Sequence, residues 1–87
     1  MQQIVVAVFD RAAQIFGRPF FVQASGQAIR SFTDEVNRTD SERGEFARHP
    51  DDFDLWQLAV YDDSLGQFQD AQKMLVRGKD VVLSQES

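Results

Sequence analysis

Two apolar runs, QQIVVAVFD at residues 2–10 and FDLWQLAVYDD at residues 53–63, constrain this chain more than any other feature. The first is rich in β-branched residues and too short for a buried helix, so it reads as a buried strand. Its side chains alternate, Val5, Ala7 and Phe9 to one face and Ile4, Val6 and Val8 to the other. The second reads as a strand with Trp56, Leu58 and Val60 on one face and Leu55, Ala59 and Tyr61 on the opposite one.

The segments between and after them complete the pattern. RAAQIFGRP turns the chain, with Gly17 loosening the backbone and Pro19 holding Arg18 extended. FFVQ then reads as a strand that pairs with the first through a long loop. Ser25 stands at the N-cap of a helix whose stripe is Ile29, Phe32 and Val36, while Arg30, Thr33 and Glu35 fall outside it. NRTDSERGEFARHPDD is polar and aperiodic, which predicts a long loop. DDSLGQF is a hairpin turn with Gly66 in the left-handed position, and KMLVRGK and VVL are expected to form one or two last strands around Gly78. The order is ββαββ with a β-like tail. It predicts an α+β fold, a small antiparallel sheet with one helix packed across it, as a single domain over residues 1–87.

At 87 residues, such a domain buries only about 60–65 % of the surface its unfolded chain exposes, and a homodimer is one way to bury more. Without cysteine, disulfides and thiolate metal sites are excluded. The apolar start has no basic leader and ends at Asp10, so neither a secretory signal nor a membrane span is expected, and the cytoplasm is the default location.

Charge is distributed unevenly. The chain carries −5 overall; residues 1–33 hold Arg11, Arg18 and Arg30 against Asp10, whereas residues 34–63 hold ten acids against Arg38, Arg43 and Arg48. Residues 64–87 balance Lys73, Arg77 and Lys79 against Asp70, Asp80 and Glu86. Asp51, Asp52, Asp54, Asp62 and Asp63 lack the spacing of a cation-binding loop and match ordinary turn sequences, so no metal is predicted. His49 is the only histidine, and no nucleophile motif or phosphate-binding glycine loop accompanies it. No catalytic residues and no cofactor are predicted, and the chain is read as a non-enzyme.

Single-stranded nucleic acid is held by cations on its backbone and aromatics on its bases. Seven of the nine basic residues are arginine, the better residue for bidentate phosphate contact. If residues 73–79 are extended, Lys73, Leu75, Arg77 and Lys79 project to one side. Phe20 and Phe21, adjacent on a strand, cannot both face the core. The candidate DNA-binding set is Arg11, Arg18, Phe20, Phe21, Arg30, Lys73, Arg77 and Lys79.

The ordered set PFFVQASGQAIRSFTDEVN, HPDDFDLWQLAVYDDSLGQF and LVRGKDVV resembles the small non-structural protein of gokushoviruses, tailless single-stranded DNA phages of the Microviridae. The resemblance runs over nearly the whole chain. It implies a non-capsid protein made in the cytoplasm of the infected bacterial host, serving the switch to single-stranded genome synthesis or packaging. It brings no catalytic residues. The motif positions that could touch DNA are Arg30 in A-I-R-x-F and Phe20 or Phe21 in P-F-F. The expected function is therefore single-stranded DNA binding through a local basic and aromatic patch, by a homodimer. The alternative is a protein-interaction adaptor whose acidic loop, with Asp51, Asp52 and Asp54, contacts the replication initiator or the procapsid, since an acidic segment suits a basic partner.

Overall fold

A computed structural model describes residues 1–83. The first apolar run forms β1 (Gln2–Asp10), and after a turn the chain returns along its edge as β2 (Ile15–Phe16) and β3 (Phe20–Val22). Asp10 builds that turn: its carboxylate accepts from the amides of Ala12 and Ala13 at 3.0 and 3.2 Å. The return strand is interrupted at residues 17–19, where Pro19 has no amide to donate. It resumes in register, Phe20 opposite Val6 and Phe21 opposite Val5.

Helix α1 (Ser25–Val36) follows, then a four-residue helix α2 (Glu45–Arg48) and a 3₁₀ turn over Pro50–Asp52. Strands β4 (Phe53–Asp62) and β5 (Gln67–Arg77) form a long hairpin, and α3 (Gly78–Val81) closes the described chain. The antiparallel sheet runs β2-β1-β4-β5, with β3 on the same edge of β1 as β2. This is the α+β architecture that the sequence predicts.

The core lies between the sheet and α1. Ala28, Phe32 and Val36, at i, i+4 and i+8 on one helix face, pack on Val6, Phe53 and Leu55, and Ile29 packs beside them. Three local expectations need correction. Ser25 does not cap α1: it is the first helical residue after Ala24, and the Gln27 side-chain oxygen accepts from the amides of Gln23 and Ala24, at 2.9 and 3.4 Å. The polar segment after α1 is not a plain loop, because Phe46 on α2 enters the core, 5.6 Å from Phe32 and 4.8 Å from Phe53 between ring centroids. VVL is not a strand either; Val81 ends α3 and packs on the core, while Val82 and Leu83 are exposed.

Two irregularities alter which side chains share a face. Leu58 is an extra residue in β4: Gln57 opposes Val6 and Ala59 opposes Val5. A bulge of this kind reverses the alternation, so Trp56 shares a face with Ala59 and Tyr61, not with Val60. In β5 the register slips at Leu75, with Met74 opposite Trp56 and Val76 opposite Leu55. Leu75 and Val76 consequently both pack toward the helix-side core.

The molecule is drawn out along the hairpin, 51 × 24 × 21 Å with a radius of gyration of 13.9 Å, against about 12 Å for a compact domain of this length. The helices cover one end of one sheet face.

Candidate functional site

Strand β3, the segment before it and helix α1 place three of the predicted residues at two neighbouring hollows. Phe20 points to the helix side, since it opposes Val6, and forms part of an apolar cleft with Phe32, Phe46, Val8 and Leu55. The cleft holds about 210 Å³, and Arg18, Ser31 and Glu35 stand at its margin. Ser31 also borders the neighbouring hollow along α1 that contains Gly26, Gln27 and Arg30. Arg18 and Arg30 therefore border two hollows that share Ser31, and the 40 %-exposed ring of Phe20 lines the one beside Arg18. Among the described residues neither arginine has an acidic partner within 4 Å, unlike Arg38, which is held by Glu35, Asp40 and Glu42. The hydrogen bond to Asp40 raises the Arg38 pKa and lowers that of Asp40. Arg38 is thus paired locally, whereas Arg18 and Arg30 have no such pairing among the described residues.

The other predicted residues line neither hollow. Phe21 opposes Val5 and lies on the far face, 5.7 Å from Tyr61 and 6.4 Å from Phe68. Arg11 is committed locally: its amide donates to Asp52 O at 2.7 Å, Nη1 to Asp51 O at 3.0 Å, and Nε lies 3.9 Å from Asp54. Lys79 borders the same recess as Arg11, Asp51 and Asp52, so acids accompany both cations. The expected row of Lys73, Leu75, Arg77 and Lys79 is not formed. The slip at Leu75 turns Arg77 to the far face opposite Asp54, Lys73 stays with Gln57 on the helix side, and Lys79 has left the strand for α3.

The acidic residues of the alternative reading are also divided. Asp51 is exposed and Asp52 half-buried, but Asp54 is 7 % exposed on β4. Its Oδ1 and the Trp56 Nε1 are buried without a hydrogen-bond partner among the described residues, a cost of about 1–3 kcal/mol for each such group. Asp54 therefore lies on the sheet face away from the helices, almost wholly shielded and apart from Asp51 and Asp52.

Sequence reasoning missed Phe46, Ser31 and Glu35 at the cleft, and Tyr61 and Phe68 beside Phe21. Phe46 carried one signal, a lone large apolar residue inside a polar stretch. Tyr61 and Phe68 lie on either side of the hairpin turn, which makes them direct cross-strand neighbours.

The fold is thus an α+β domain with an open sheet and a strip of basic and aromatic residues, Arg18, Phe20 and Arg30. The chain belongs to a bacteriophage protein family: the family model described as Phage ORF5 protein matches residues 3–81. No curated protein and no solved structure matches it.

Proposed function

We propose that this phage protein is the gokushovirus-type non-structural factor that its motifs resemble, and that it binds single-stranded DNA during genome synthesis or packaging in the bacterial cytoplasm, outside the capsid. The observation that carries this reading is Arg18 and Phe20 at an apolar cleft and Arg30 at the hollow beside it, with neither guanidinium paired to an acid among the described residues. Phosphates would lie on the two arginines, and a base would rest against Phe20 at the mouth of the cleft. Duplex DNA keeps its bases stacked and cannot use the cleft, so the strip favours single strands. The chain's net charge of −5 opposes long-range attraction, so binding depends on this local strip and weakens with salt.

Fluorescence anisotropy with a labelled single-stranded oligonucleotide tests the reading, beside a duplex control. Two or three phosphate contacts predict a loss of about seven- to eighteenfold in affinity between ~50 and ~200 mM salt. Arg18→Glu with Arg30→Glu should lower affinity at least about tenfold at ~50 mM salt with an unchanged circular dichroism spectrum. Absence of binding at low salt, or an unchanged affinity in the double variant, would remove the strip from DNA contact. The adaptor reading would then lead, resting on Asp51 and the exposed acids Glu42 and Glu45, with the replication initiator or procapsid as the partners to try.

A further inference from the structure

Among the described residues the sheet has cover on one face only. The helices of the described residues pack on the side of Val6, Phe53 and Leu55. The opposite side carries Phe16, Phe21, Trp56, Tyr61, Phe68 and Met74, brought together by the register and by the Leu58 bulge. These rings interlock: Phe16 is 6.0 Å from Trp56, and Tyr61 is 4.8 Å from Phe68. Beneath them Ala7 is fully buried and Val5 nearly so, yet Phe21 is 47 % and Phe68 62 % exposed. The floor of this face is already a core, and its upper layer stands in water.

We propose that this bare face is a homodimer interface in which two copies of the chain pack sheet against sheet. Its size fits. Strands of about ten residues at ~3.3 Å each, four abreast at ~4.8 Å, give a face of about 600 Å² in plane. That is of the order of the ~800 Å² per partner of a stable interface. Its charge also fits. The register places Asp54, Asp70 and Arg77 on this face, with Asp54 lying between Arg77 and Arg11. A polyanion would meet Asp70, which has no cationic partner among the described residues, whereas a second copy set antiparallel brings its Arg77 end over that aspartate. Two such sheets stacked about 10 Å apart would close a two-layer core. The Arg18–Phe20–Arg30 strip lies on the other side and stays outside in both copies, so the interface stands whether or not the strip binds DNA.

Sedimentation equilibrium of the full chain between about 1 and 100 μM, the span of moderate affinities, is the test. The expected result is a dimer mass for the wild type, a monomer mass for Phe21→Glu with Phe68→Glu, and a dimer mass for Phe20→Glu on the helix side. Far-UV circular dichroism checks the fold of each variant. If the double variant loses its spectrum, Phe68→Glu alone serves, since that ring is mostly in solvent already. A monomeric wild type over the whole range overturns the proposal. So does a dimer that both Phe68 variants leave intact, which would move the interface elsewhere, for instance to the open edge of β5. Loss of oligonucleotide binding with an unchanged mass would also overturn it, by assigning the face to DNA.

Discussion

On the helix side of the sheet, Val6 and Leu55 are fully buried beneath Phe32 and Val36, while on the other side Phe21 and Phe68 stand half in solvent above Ala7. The same strands supply both layers, so β-propensity and apolar content cannot explain the difference. What differs is the cover. One twelve-residue helix and two short ones can shield one end of one face, and the described residues place no second layer on the other. The covered face defines the fold. The bare face has the composition of a core and the exposure of a surface, which is the condition in which association gains most.

The comparison breaks most directly at Phe32. It is buried and touches the Phe46 ring, so Phe32→Ala should cost about 3–5 kcal/mol. A domain of this length has about 4–13 kcal/mol in total. Urea denaturation should therefore find the Phe32→Ala midpoint lowered by a large share of the wild-type value. A loss under about 1 kcal/mol would mean that the helix side is not the principal core.

Gly78 tests how tightly the same side is closed. It is buried at the start of α3, where a Cβ would clash with the carbonyl oxygen of Pro50 and lie 2.8 Å from that of Phe53. Both obstacles are backbone, which cannot rotate away as a side chain does. Gly78→Ala should cost about 1–3 kcal/mol, read as a lower urea midpoint with an unchanged slope. An unchanged midpoint would show that α3 is free to lift from the 50–53 segment.

The bare face predicts a smaller intrinsic effect. Phe68→Ala should cost about 1 kcal/mol or less in dilute solution, the worth of its edge contacts with Tyr61 and Phe21. The difference should appear with concentration: a self-associating wild type gains thermal stability as it is concentrated, and the variant does not. Equal concentration dependence in the two proteins would remove Phe68 from any interface.

How far these faces could be read beforehand follows from particular residues. Strand β1 and helix α1 were legible, because Val5/Ala7/Phe9 and Phe32/Val36 follow periods of two and 3.6 without interruption. The β4–β5 hairpin was legible at Gly66, which takes a positive φ of 65°. The bulges at Leu58 and Leu75 were not. Nothing in DLWQLAVYDD marks where an extra residue enters, and one such residue reverses every later side chain. The bulge at Leu58 separated Trp56 from its expected neighbours, and the slip at Leu75 separated Arg77 from Lys73. Of the candidate DNA residues, Arg18, Phe20 and Arg30 were found together because strand and helix meet within a few residues of sequence. The distant cations depended on pairing geometry that composition does not encode.

The smallest effect lies at the hairpin end, away from the helices. The Met1 amine donates to Asp63 Oδ1 at 3.0 Å and to Ser64 Oγ at 3.2 Å, clipping the start of β1 to the β4–β5 turn. The hydrogen bond to Asp63 raises the amine above its ordinary 8.0, and the same bond lowers the Asp63 carboxyl below its ordinary 3.8. The raised amine contributes stability in full below 8.0, and that part is lost as pH rises through its folded value. The lowered carboxyl contributes in full above 3.8, and that part is lost as pH falls through its folded value. Both groups are in solvent, so the clip is a weak one. Thermal midpoints of wild type and Asp63→Asn should differ slightly near neutral pH and converge toward either limit. Nuclear magnetic resonance adds the decisive control: the substitution should shift the amides of Gln3 and Tyr61 while leaving those around Phe32 in place. Movement at Phe32 would show that the covered and bare parts of the sheet respond as one body, and the distinction between them would have to be redrawn.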